Sequence, residues 1–303
     1  MWYDIYVKTR NKKSTRVFIY NVEISVKQAL ENDMIGKEDL KYDMQPCCDG
    51  NVDNKNKGRR IDVRRIIEKL DSLFDKNDLL AAGRLLEYWK SEARLYGDLS
   101  GELSVVSEMI GYYRKTLEKE KALAAVSRAL ELIEELKNEN TVSAATVYLN
   151  AATTLKAFGK AVEAMPLYEK TYNIYKENLD GSDPRLGGFY NNVGLALADI
   201  GEKEKAERAY KAAVSVMLQK DGGKAEAAIT YVNLAHLYEM DGRGVDIEKA
   251  LDRATELLDD RELPRNGYYA FVLSKCAPSM RYFGREETAE KMERLVKEIY
   301  ERS

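Results

Sequence analysis

From Ile61 to the end of the chain, apolar residues return every three or four positions, the period of helices with one buried face. The clearest example is Tyr190 to Val216, which reads as two short amphipathic helices joined by a tight turn at Ile200-Gly201-Glu202. Small residues (Gly194, Ala206, Ala213) stand where two helices must touch, and Gly194 is expected to face Ala206. The first sixty residues have another texture. Residues 2–7 and 17–26 are rich in tyrosine and β-branched residues, and Val22, Ile24 and Val26 alternate with polar neighbours at a strand-like period of two. Residues 11–14 suit a hairpin loop, residues 25–35 a short helix ended by Gly36, and residues 45–60 a polar linker. The expected organisation is therefore an appendage of mixed α/β structure over 1–60 and an all-α region over 61–303.

The helical pattern repeats. Ala122, Ala164 and Ala206 are spaced by 42 residues, each followed four residues on by Val126, Tyr168 and Tyr210 and seven on by Ala129, Thr171 and Ala213. Upstream, Ile110, Ala152 and Gly194 keep the 42-residue spacing, preceded four residues earlier by Val106, Tyr148 and Tyr190. The turn glycines Gly159 and Gly201 keep it as well. Six helix pairs follow: 61–97, 99–138, 141–179, 183–220, one from 224 and one from 266. Thr141 and Asp183-Pro184 supply N-cap signals. The fifth pair carries an inter-helix loop, 241–246, about three residues longer than the others. The sixth departs from the pattern at Pro278, inside its first helix, and at Glu293, where an aromatic is expected; its charged last helix reads as a cap.

This arrangement resembles the tetratricopeptide repeat family, whose unit of about 34 residues pairs an aromatic, large–small, aromatic series with a small–aromatic–small one. In the stretch from Tyr190, those positions are Tyr190, Val193-Gly194, Leu197, Ala206, Tyr210 and Ala213. The longer 42-residue unit is similar to the repeats of kinesin light chain and related bacterial proteins. The resemblance implies a right-handed α-solenoid of six pairs in which no pair has a complete core and stability comes from stacking. It also implies that first helices line a concave groove.

Composition narrows the function. A net charge of −3 argues against a general nucleic-acid binder. No window approaches the run of about 18 apolar residues that a membrane span needs. Cys47, Cys48 and Cys276 form no disulfide framework, so reduced thiols in a cytoplasmic protein are expected. The oxygen-rich run from Asp49 to Asp53 opens like an EF-hand loop but has Asn54 and Arg60 where that loop needs Gly and Glu. No Walker, GxGxxG, GxSxG or HExxH motif is present, and His236 is the single histidine; no enzyme, cofactor or metal site is expected.

Binding is the expected function: a non-catalytic scaffold or adaptor that holds a protein or peptide segment in the groove. Asn150, Asn192 and Asn233 fall at one repeat position, and a row of amides can hydrogen-bond an extended backbone; they suit inter-helix ties equally well. Asn191 joins them, and His236 falls on a groove-facing position or a packing one. Arg114, Lys115 and Lys156 lie on early repeats, Asp199 and Glu239 on later ones, a charge order that favours a ligand with an acidic end near the first group. The alternative is a regulatory or sensor module whose N-terminal segment docks on a separate effector by strand pairing.

Overall fold

A computed structural model describes residues 58–220 and 222–302. The strands, short helix and linker expected before residue 58, with Cys47 and Cys48, lie outside the described residues. Among the described residues there are twelve helices and no strand. They fall into two compact units that divide between Glu139 and Asn140. The first holds α1 (Val63–Asp75), α2 (Leu79–Tyr96), α3 (Leu99–Lys115) and α4 (Lys119–Leu136). The second holds α5 (Val142–Ala157), α6 (Ala161–Asn178), α7 (Pro184–Asp199), α8 (Lys203–Met217), α9 (Lys224–Glu239), α10 (Gly244–Leu258), α11 (Gly267–Tyr282) and α12 (Glu286–Arg302). The six expected pairs are all present.

Local chemistry explains the helix boundaries. Thr141 accepts a hydrogen bond from the Ala144 N–H, Asp183 from that of Arg185 with Pro184 at the first helical position, and Asn266 from that of Tyr269. Within each helix pair of the second unit, the turn bends through a glycine at positive φ: Gly159 at 79°, Gly201 at 84°, Gly242 at 66° and Gly284 at 79°. In the first unit, Asn77 and Leu117 take the same conformation at 55° and 60° without that freedom. The fifth-pair loop is shorter than expected, four residues (240–243) against three (200–202) in the fourth pair. The extra residues Gly244, Val245 and Asp246 extend the first turn of α10 instead. α11 runs through Pro278, as α6 runs through Pro166.

Packing follows the small–aromatic series. Ala164, Ala206, Ala213 and Ala289 have no exposed surface, and Tyr168 and Tyr210 are fully buried between their helices. At Gly194, expected to face Ala206, the nearest neighbour is the Tyr210 ring. A Cβ at Gly194 would stand 2.6 Å from that ring, so the aromatic residue, being longer, reaches the close-approach point first. In the second unit, first helices pack on the first helices of neighbouring pairs (α5 on α7, α7 on α9, α9 on α11), while the second helices fan apart. The gaps between successive second helices are consequently floored by the outer side of a first helix.

The first unit is held by a buried charge network of its own. Glu102, on α3, is almost wholly buried and accepts from Arg94 at 2.6 Å and from Arg128 at 3.0 Å. Burial pushes its carboxyl up, but hydrogen bonds from Arg128 and Arg94 outweigh burial and hold it below the usual range. Asp98 caps α3 through the Gly101 N–H and also accepts from the Ile61 N–H, which fastens the chain entering α1.

Candidate functional site

Two faces of the second unit carry chemistry. The first is the side built by α5, α7, α9 and α11. Asn191, on α7, is fully buried, and its Oδ1 accepts from Asn233 Nδ2 at 3.0 Å and from Thr230 Oγ1 at 3.1 Å, both on α9. The Asn191–Asn233 pair therefore ties two first helices together, one of the two roles expected for the asparagine row. Asn192 is 2% exposed, and Asn150, on α5, is half-buried. Two amide atoms remain without a hydrogen-bond partner, Asn191 Nδ2 and Asn192 Oδ1, and both are buried. They offer a donor and an acceptor on consecutive residues, and buried polar atoms of this kind are rarely left unmatched.

Charged residues of this face pair within the unit. Lys156 Nζ lies 3.6 Å from Asp199 Oδ2, which joins the early basic group to the later acidic one. The two side chains come from neighbouring first helices, so the early basic group and the later acidic one meet at this point of the face. In the first unit Arg114 is buried, and Lys115 places its ammonium 4.9 Å from the centre of the Phe74 ring.

His236, on α9, has a packing role. It is 2% exposed; its Nε2 stands 2.9 Å from Ser279 Oγ, and its ring lies 5.6 Å and 4.9 Å from the rings of Tyr282 and Phe283. Nδ1 faces Glu239 Oε2 at 3.9 Å, and the other Glu239 oxygen accepts from the Tyr282 hydroxyl. Hydroxyl, imidazole and carboxylate stand in the order of an acyl-transfer triad, which the sequence reading missed because α9 and α11 supply them. Ser279 has no exposed surface and sits in mid-helix, where backbone N–H groups are committed to the helix. The hydroxyl is closed off in this structure, and the cluster joins α9 to α11.

The second face lies outside, where α6 and α8 diverge over α7. A groove of about 640 Å³ opens there, floored by Phe189, Tyr190 and Val193 and walled by Met165 and Tyr172 on one side and Ala209 and Ala212 on the other. Its rim carries Val162, 73% exposed, and Tyr172, 39% exposed, which stacks on Phe189 with ring centres 6.1 Å apart. Pro166 has no N–H, so the Val162 carbonyl lacks its usual helical donor. Glu169 on the α6 wall and Arg208 on the α8 wall have no partner among the described residues. Sequence reading passed over this face, although a signal exists. Two residues before the small alanine of the second helix stands Val162, where the corresponding positions before Ala206, Ala250 and Ala289 hold Glu204, Glu248 and Glu287.

No protein-family model matches the chain, and no curated protein matches it. Solved structures do. BtubC (BKLC) from P. vanneervenii aligns over 79% of this chain and 89% of its own at 20% identity, with a TM-score of 0.55. A Rap protein complexed with Competence and Sporulation Factor aligns over 79% and 75% at 13% identity, TM-score 0.53. PilW, a type IV pilus biogenesis factor, aligns over 81% and 96% at 14% identity, TM-score 0.51. With its paired helices, small–aromatic contacts and glycine turns, the chain has the tetratricopeptide-type repeat fold that BtubC and PilW also show.

Proposed function

We propose that this protein is a non-catalytic binding scaffold whose first-helix face holds an extended segment of a partner protein or peptide. The reading rests on one observation: Asn191 Nδ2 and Asn192 Oδ1 are buried without a hydrogen-bond partner on adjacent residues of α7. A backbone C=O and N–H of an extended ligand are the complementary pair; both atoms are closed off in the unliganded protein, so the ligand reaches them once the side chains over them move aside. Asn150, Asn233, His236 and Glu239 then frame the contact, the last two by fixing α11 against α9. The Lys156–Asp199 pair stands at 3.6 Å, beyond hydrogen-bond length, and an acidic end of the ligand takes Lys156 in exchange for Asp199. Arg114 and Lys115 are the corresponding cations of the first unit. The Rap protein complexed with Competence and Sporulation Factor is a solved case of this fold holding a partner.

The test is Asn192→Ala against a panel of immobilised random-sequence peptides selected on the wild-type protein. Losing one ligand hydrogen bond weakens binding by about 1 kcal/mol, or several-fold in Kd. Because Asn192 Oδ1 bonds nothing in the free protein, the same substitution leaves thermal stability unchanged or higher. Undiminished peptide binding would sink the proposal.

A further inference from the structure

The outer groove is distinct from the first-helix face and has its own logic. Its apolar floor and rim are continuous along α6, where Val162, Met165 and Tyr172 stand three, seven and ten residues apart in pairs that keep one helix face. The ridge and the hollow lie side by side on the same surface. Each wall carries one unpartnered charge of opposite sign, Glu169 on α6 and Arg208 on α8. The gaps between the later second helices are bridged, one by Glu207 and Arg243 at 2.8 Å, the other by Arg285 with Glu248 and Asp252. Unlike those two gaps, the α6/α8 gap keeps Glu169 and Arg208 unpaired among the described residues above its apolar floor.

We infer that this groove is the isologous interface of a homodimer, its occupant being a second copy of the chain. A two-fold contact requires a surface complementary to itself. A two-fold axis along the groove sets α6 of each copy opposite α8 of the other. Val162 and Tyr172 of each copy then enter the apolar hollow of its partner. Glu169 of each copy meets the Arg208 of the other, so one pair of residues forms two ion pairs. A partner of different sequence would have to bring a ridge and two charges in this order; a second copy has them already.

Sedimentation velocity on the full chain tests this. The wild-type protein is expected to sediment as a dimer. Glu169→Arg and Arg208→Glu, each alone, place like charges opposite each other twice and shift the dissociation constant by at least about tenfold toward monomer. Their helical circular dichroism stays that of the wild type, because neither residue has a partner within its own chain. An equimolar mixture of the two single variants re-forms a dimer, since the swapped charges now match, and the double variant dimerises by itself. A monomeric wild type would overturn the inference. So would single variants that remain dimeric, or a mixture that fails to reassociate, which would assign the variants' effect to something other than this pair.

Discussion

The α6/α8 gap and the α10/α12 gap occupy equivalent places in one repeat lattice, yet one is open and the other sealed. The turn glycines set the correspondence. Eight residues before Gly201, Gly242 and Gly284 stand Val193, Leu234 and Cys276; eleven before them stand Tyr190, Tyr231 and Leu273. Val193 and Tyr190 are half-buried, whereas Cys276 and Leu273 are buried completely. Above the sealed floor, Arg285 bonds Asp252 at 2.6 Å and Glu248 at 2.5 Å, and Lys291 bonds Asp259 at 2.7 Å. Above the open one, Glu169 and Arg208 bond nothing among the described residues. The backbone plan is common to both gaps, so the side chains alone decide which becomes core and which remains available surface.

The comparison breaks most visibly in the two floors. Leu273→Ala removes a buried side chain from the sealed gap and is expected to cost about 2–5 kcal/mol. Val193→Ala, at the half-buried open floor, should cost about 1 kcal/mol. Urea denaturation followed by circular dichroism measures both, and equal losses would mean that the open floor is as much a core as the sealed one. Openness is confined to the outer side of α7. On its inner side Gly194 leaves no room beside the Tyr210 ring, so Gly194→Val should overpack the pair and cost about 1–3 kcal/mol. A neutral Gly194→Val would show α7 to be loosely held throughout.

These differences mark what was legible in the sequence. The six pairs, the caps at Thr141 and Asp183 and the glycine turns were readable because each depends on neighbours along the chain or on a fixed period. Contacts between repeats were not. Gly194 meets Tyr210 because of how far a phenol reaches across a helix pair. Asn191 meets Asn233 and Lys156 meets Asp199 across about one repeat, at a distance the period alone does not resolve into bonded or merely near. The outer groove was hidden differently: aromatic and aliphatic residues on α6 look like core residues until it is known that α8 turns away from them.

A third test concerns acid. Burial raises the Glu207 carboxyl, but hydrogen bonds from Arg243 and Lys211 prevail and hold it down at about 2, from an ordinary 4.5. A carboxylate depressed on folding contributes stability that is present above its unfolded pKa and lost as pH falls through its folded one. The α8/α10 bridge should therefore weaken between pH 4.5 and about 2. Glu207→Gln removes that part of the acid limb of a stability–pH curve. A wild-type curve flat over that interval would show that the Glu207 bridge adds nothing.

The smallest effects separate the two arginines that define the gaps. Arg285 is only 20% exposed in its side chain and holds two carboxylates of α10. Burial disfavours its charge, but Glu248 and Asp252 outweigh that and raise its pKa. Arg285→Ala strips both bonds from the last helix pair, and a loss of about 1 kcal/mol is expected, with faster amide exchange in α12. Exposed ion pairs are screened, so much of this loss should vanish at high salt. Arg208→Ala breaks no contact within the chain, and at protein dilutions where the chain is monomeric it should change stability by no more than about 0.5 kcal/mol at any salt concentration. If Arg208→Ala instead destabilised the isolated protein as much as Arg285→Ala, Arg208 would be a strut of the fold, and its lack of a partner would no longer mark a surface kept for another molecule. A stability unaffected by Arg208→Ala, together with a loss at Arg285 that salt erases, would leave charge placement as what distinguishes a sealed gap from an open one.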